Sequence, residues 1–260
     1  MIRGVDGLRY VMPFREGGSV PVLMEADDLG LYVVKLRGAA QGRKALVAEL
    51  VSGEVARALG LDVPELVFVE LDASLPLSEP DPELALPLEA SVGRNIGLDY
   101  LPGSITFDPA ASARPDPLTA SRIVLFDALV FNVDRTPRNP NLLVWHGRPW
   151  LIDHGASLYV HHGWSPDTAL SSASDSFSEI ASHVLLPFAT EVEAAAAHLR
   201  SVLTRERIRA ITDEIPDEWL EERDGFADAS EHRSAYAALL RARVEALPLL
   251  VEEVARARAL

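Results

Sequence analysis

Residues 132–155, NVDRTPRNPNLLVWHGRPWLIDHG, restrict what this chain can fold into more than any other stretch. Two short apolar runs, NLLVW and PWLID, flank His146-Gly147-Arg148 and read as a two-stranded hairpin. An aspartate stands at each end: Asp134 follows the apolar run LFDALVF, and Asp153 follows Trp-Leu-Ile. Asn139 comes five residues after Asp134. A hairpin that brings its ends together therefore gathers two carboxylates and an amide at one place. Oxygen donors without sulfur suit a hard divalent cation such as Mg²⁺, which binds through one or two carboxylates and keeps several waters. The remaining carboxylate is free to orient or accept a proton.

On either side of the hairpin the chain shows two kinds of pattern. RYVMPF, VPVLMEA and LYVVKL, within residues 9–36, read as three β-runs separated by Glu16-Gly17-Gly18-Ser19 and Asp27-Asp28-Leu29-Gly30. The paired glycines let a backbone approach a ligand closely. KALVAELVSGEVARALGL, residues 44–61, has apolar residues at helical spacing and Gly60 as its C-cap. ELVFVEL, residues 65–71, returns to strand. The Pro-, Asp-, Glu- and Leu-rich stretch 73–90 reads as irregular, and glycine-punctuated SVGRNIGLDYLPGS, 91–104, as a connection between lobes. From LTASRIVLFDALVFN (118–132) onward the pattern is helical, interrupted by the hairpin and a Ser-, His- and Asp-rich loop over 156–182. The expected class is α+β: a small β-rich lobe over 1–98, then a larger helical lobe over 99–260.

Composition narrows the setting. At 260 residues, 48% hydrophobic and 24% charged, the chain can bury a substantial core. It has no cysteine, which excludes disulfides and thiolate metal sites and suits a reducing compartment. MIRGVDGLRYVMPF lacks a signal peptide's apolar core, and no apolar run reaches the ~18–20 residues of a membrane span. A cytoplasmic location is expected. A formal net charge of −15 argues against general nucleic-acid binding but leaves room for a nucleotide in a locally basic cleft. Of the 24 basic residues only Lys35 and Lys44 are lysines, so a compact ammonium at those positions stands out.

Taken in order, these residues resemble a known family. Asp134-Arg135-Thr136-Pro137-Arg138-Asn139 is similar to the Asp-Arg-His-x-x-Asn loop of phosphoinositide-type and HipA-type kinases, and Asp153-His154-Gly155 to their metal-binding Asp-Phe-Gly. Val33-Val34-Lys35-Leu36 resembles the strand that carries the phosphate-pairing lysine. Glu49 stands where the helix of that fold supplies the lysine's partner, with Glu54 as the alternative on the same helix. The resemblance, to HipA-like bacterial kinases, runs from about residue 8 to the C-terminal helices. It implies a two-lobed protein-kinase-like fold with ATP and Mg²⁺ as cofactors, Asp134 as the catalytic aspartate, and Asn139 and Asp153 as metal ligands. By the same resemblance Lys35 is expected to contact the phosphates and be held by Glu49, with Gly17, Gly18 and Ser19 expected to cover them. The resemblance also implies a hydroxyl acceptor, a protein Ser or Thr ahead of a lipid or small molecule.

The chain departs from the family pattern at several points. Gly17-Gly18 replaces a full Gly-x-Gly-x-x-Gly, Asn132-Val133 precedes the aspartate, Thr136 stands for histidine, and His154 for phenylalanine. Two other readings start from these differences. A pseudokinase scaffold would keep its biological output after Asp134→Ala. A metal-dependent hydrolase built on Asp134, Asp153 and the histidines would act without nucleotide and hold a transition metal. Adjacent His161 and His162 point to opposite faces of a strand and lack a second ligand pair, so they do not read as a zinc site. Arg135 and Arg138 are ordinary in an Arg-rich chain, and Asn141 reads as a turn residue.

Overall fold

Five strands of the N-terminal half close into a barrel in a computed structural model that describes residues 1–14, 21–39, 42–75, 82–110, 114–221 and 224–260. The strands are β1 (Gly4–Pro13), β2 (Val22–Ala26), β3 (Leu31–Lys35), β4 (Leu66–Leu71) and β5 (Gly93–Asp99), in the order β1-β2-β3-β5-β4. Neighbours are antiparallel except at the closing seam, where β1 runs parallel to β4. β1 serves both sides of that seam. Its start, Gly4–Gly7, lies along Phe68–Leu71, and the rest pairs with β2 through two register shifts that bend the strand. Alternate residues such as Val22, Met24, Val34, Val67 and Val69 point inward and fill the barrel.

Closure depends on two small residues. A Cβ at Gly7 would lie 2.8 Å from Leu71 Cδ2, and one at Gly97 would lie 2.7 Å from Val69 Cγ2. The second contact explains why residues 91–104 are not a mere connection. β5 pairs with both β3 and β4, and the glycine that makes its sequence look like loop leaves space for Val67 and Val69.

α1 (Gly42–Ala58) is enclosed, with Leu46, Val47, Leu50 and Val51 all buried in one cluster that also takes in Ile96, Leu98 and the C-terminal helices. Gly60 ends it as expected, at φ +73°, with the Leu61 N–H donating to the Ala56 carbonyl at 3.0 Å. The stretch expected to be irregular contains α2 (Pro82–Glu89). Its composition hides the helix: Pro82 stands in the first turn, where a proline has no hydrogen bond to lose, while Pro87 lies inside it.

In the C-terminal half, Asp116 caps α3 (Pro117–Leu129) by accepting from the N–H groups of Leu118 and Thr119. Strands β6 (Ile105–Thr106), β7 (Leu142–Trp145) and β8 (Arg148–Leu151) form a small sheet. The β7–β8 turn puts His146 at φ +48° and Gly147 at φ +75°, the two left-handed residues of a tight hairpin. Then follow α4 (Val192–Val202), α5 (Arg205–Thr212), α6 (Ala229–Glu245) and α7 (Leu247–Arg258), the last two separated just before Pro248. The stretch 156–182, expected as loop, contains 3₁₀ turns at Tyr159–Gly163 and Ser178–Ser182, so His161 and His162 lie in a turn and not in a strand. No helix among the described residues is long and apolar enough to cross a membrane.

Candidate active site

Lys35 closes β3 with its side chain only 9% exposed, and its Nζ lies 2.5 Å from Glu49 Oε2 and 2.5 Å from Asp153 Oδ1. Three elements thus converge on one ammonium: a barrel strand, the middle of α1 and the segment after β8. Glu49 is fully buried, and its second oxygen lies 3.3 Å from Nδ1 of His154, a ring also fully buried and set edge-on against Phe126. Burial alone pushes the Lys35 ammonium down and the Glu49 carboxyl up. Their mutual attraction, with Asp153 acting on the lysine and His154 on the glutamate, outweighs burial. Lys35 is held above the ordinary lysine value, and Glu49 falls to about 2. Glu54, the alternative partner, pairs instead with Arg57 at 3.0 Å.

Asp134 stands at the other end of the hairpin. Its Oδ2 accepts from Asn139 Nδ2 at 2.9 Å and from Asn141 Nδ2 at 3.2 Å. The turn between them is tight: the Thr136 N–H donates to the Asn139 carbonyl at 3.0 Å, and the Asn139 N–H to the Thr136 carbonyl at 3.1 Å. Asn141 adopts φ +47°, and its carbonyl accepts from the Ile152 N–H at 3.1 Å, tying the two ends of the hairpin together. Asp153 follows at once, with φ +56°. Such left-handed backbone at a non-glycine residue is uncommon and concentrates at functional sites. Lys35, Glu49 and Asp153 therefore form one contact set and Asp134 with Asn139 another, joined through Asn141. Gly17, Gly18 and Ser19 lie outside the described residues; among the described ones the Phe14 N–H donates to the Pro21 carbonyl at 2.8 Å.

Asn139 and Asp153 can offer oxygen donors alone, which fits a hard divalent cation that completes its shell from phosphate and water. Among the described residues no three His, Cys, Asp or Glu side chains are grouped to hold a metal by themselves. His161 instead meets Tyr236 Oη at 3.0 Å in the interior, and His162 is exposed.

The sequence profile described as HipA-like kinase matches residues 9–246. The chain belongs to the HipA-like kinase family. Among solved structures it is similar to the proinflammatory kinase CtkA of Helicobacter pylori, at 12% identity and a TM-score of 0.61, over 97% of this chain and 99% of that one. The two share a fold. The Golgi casein kinase matches at 13% identity and a TM-score of 0.46, over 97% of this chain and 72% of that one. No curated protein matches the sequence significantly.

In this HipA-like kinase the Asp134 loop rests on a buried ionic cluster that the sequence reading does not single out. Asp127, on α3 and fully buried, accepts from Arg135 Nε at 2.6 Å and from Asn132 Nδ2 at 2.7 Å, and meets His183 Nε2 at 2.8 Å. Asn132 in turn accepts the Asp134 N–H at 3.1 Å, and Arg135 also donates to the Asn141 carbonyl. Burial pushes the Asp127 carboxyl up, but Arg135 and His183 overcome it and hold it well below the usual range. Arg135, 1% exposed, is thus a strut of the loop and turned away from solvent. One signal was present: an aspartate amid LFDALVF must find a buried partner.

Lys44, the other lysine, sits in the first turn of α1. Its Nζ donates to the His161 carbonyl at 2.8 Å and pairs with Asp224 at 2.9 Å. Both lysines of the chain therefore bind N-terminal elements of this HipA-like kinase to its C-terminal half.

Proposed function

We propose that this HipA-like kinase transfers the γ-phosphate of ATP to a hydroxyl group, with a protein serine or threonine as the favoured acceptor. The observation that carries the reading is Lys35, buried and ionised between Glu49 and Asp153, with Asp134 across the base of the same hairpin. Residues 1–98 serve as the nucleotide-binding lobe and 99–260 as the catalytic lobe. Lys35 contacts the phosphates and exchanges its Asp153 contact for them, while Glu49, held from behind by His154, keeps the ammonium in place. Gly17, Gly18 and Ser19 are assigned to the phosphates. Asp153 and Asn139 offer oxygens to Mg²⁺, which when bound neutralises phosphate charge.

Asp134 orients the acceptor hydroxyl and takes its proton. Asn139 and Asn141 both donate to one carboxylate oxygen, fixing the carboxylate's direction and leaving the other oxygen for the substrate. Catalysis then comes from positioning and charge neutralisation, with little covalent work by the protein. Incubation with γ-labelled ATP and Mg²⁺, following label on protein and in solution, tests this. Label transfer lost in both Asp134→Ala and Asp153→Ala supports the reading. Nucleotide binding without turnover under any acceptor supply would count for a scaffold instead.

A further inference from the structure

Away from the Lys35–Asp134 cluster, the end of α1, the start of α3 and the β7–β8 hairpin meet around a cavity of about 300 Å³. Its walls carry Arg114, Arg122 and Arg148 together with Asp62 and Asp116. Both carboxylates already have partners. Asp116 caps α3 and accepts from Thr119 Oγ1 at 2.5 Å, and Asp62 pairs with Arg148 at 2.6 Å. Arg122 is different: it has no ion-pair partner among the described residues, and its Nε is buried without an acceptor. Arg114 also lacks a carboxylate partner among them; its guanidinium lies 5.4 Å from the centre of the Phe188 ring. A chain of net charge −15 thus places two uncompensated guanidinium groups around one cavity.

A buried N–H donor without an acceptor is unfavourable, and a guanidinium fork matches the oxygens of a phosphate. We propose that this cavity is a binding site for a phosphate group, held by Arg122 and Arg114 with Arg148 at its rim. The volume is at the small end of ligand pockets and suits free phosphate or a phosphate monoester on a short stem, such as a phosphorylated serine side chain. The site stands independently of the proposed phosphoryl transfer. It touches that machinery through the backbone: Leu151, on its wall, donates its N–H to the Asp62 carbonyl at 2.8 Å and lies two residues before Asp153.

Calorimetric titration of the full chain with inorganic phosphate, and separately with O-phosphoserine, in low-chloride buffer tests the site. Saturable binding is expected, weakened about tenfold or more in Arg122→Met, the loss of one charge-assisted contact. A smaller loss is expected in Arg114→Met. Whichever probe binds more tightly identifies the source, free phosphate or a phosphorylated side chain. Because Arg122 Nε has no acceptor in the free protein, Arg122→Met is expected to keep the melting temperature; if it does not fold, Arg114→Met and Arg122→Gln carry the comparison. No saturable binding of either probe, or equal affinity in the native chain and the arginine variants, overturns the proposal.

Discussion

Asp127 receives hydrogen bonds from Arg135 and Asn132 and meets His183 with no exposure to solvent. Removing the carboxylate leaves the buried Arg135 guanidinium charged and without its partner, which costs about 3–5 kcal/mol. Asp127→Ala is therefore expected to lower stability by that amount in denaturant titration, and Asp127→Asn by less, because the amide keeps an acceptor oxygen. An Asp127→Ala protein as stable as the parent would show that the cluster is not what supports the Asp134 loop.

Acid should act on this HipA-like kinase in two windows. Burial holds His161, His183 and His232 below the ordinary value of 6.5, so the unfolded chain takes up protons first as pH falls. Stability is then lost from about pH 6.5 downward. Glu49, at about 2, and Asp127 are both held below their ordinary carboxylate values. The unfolded chain again protonates first, and a second loss begins below about pH 4.5. Melting temperatures recorded from pH 7.5 to 3 should fall in both intervals. A flat profile between pH 7 and 5.5 would mean that these imidazoles are not held neutral.

Among the elements, α1 has the most to position, since it carries Glu49 and is fixed at its first turn by Lys44. Lys44→Met removes the contacts to Asp224 and the His161 carbonyl, a partly buried pair worth about 1–2 kcal/mol. The expected result is a modest fall in melting temperature with a larger fall in phosphoryl transfer, and Lys44→Arg should restore part of both. Equal activity in Lys44→Met would make the contact purely a matter of stability. The strands β2, β3, β7 and β8 and helices α1 and α3 were legible because alternation, helical spacing and caps all agree there. β5 and α2 were not. Gly97, Pro82 and Pro87 are turn-like residues locally; barrel packing gives the glycine another meaning and a first-turn position gives one to Pro82, while Pro87 lies inside the helix against its local preference. The candidate residues Lys35, Glu49, Asp134, Asn139 and Asp153 stood out because their spacing is local or ordered along the chain. Asp127 and His183 did not, since 56 residues separate a pair that meets only in the folded interior.

The molecule as a whole depends on a barrel closed too tightly for side chains at two positions. Gly97→Ala would set a methyl 2.7 Å from Val69 Cγ2 and 3.1 Å from Val67 Cγ2, overpacking that costs about 1–3 kcal/mol. Because Gly97 pairs with Val34 and its neighbour Ile96 with Lys35, the same substitution should also weaken nucleotide binding. Thermal melting and nucleotide titration check both; an unperturbed variant would mean that the barrel wall yields.

The most direct test of the whole account is to measure ATP affinity by calorimetry and phosphoryl transfer on the same samples of the native chain and Asp134→Asn. Asp134→Asn is expected to bind Mg²⁺-ATP as the native chain does, since the cluster of Lys35, Glu49 and Asp153 is untouched, while transfer falls by about 10²–10⁴. Transfer at the native rate in Asp134→Asn, with the fold intact, would contradict it.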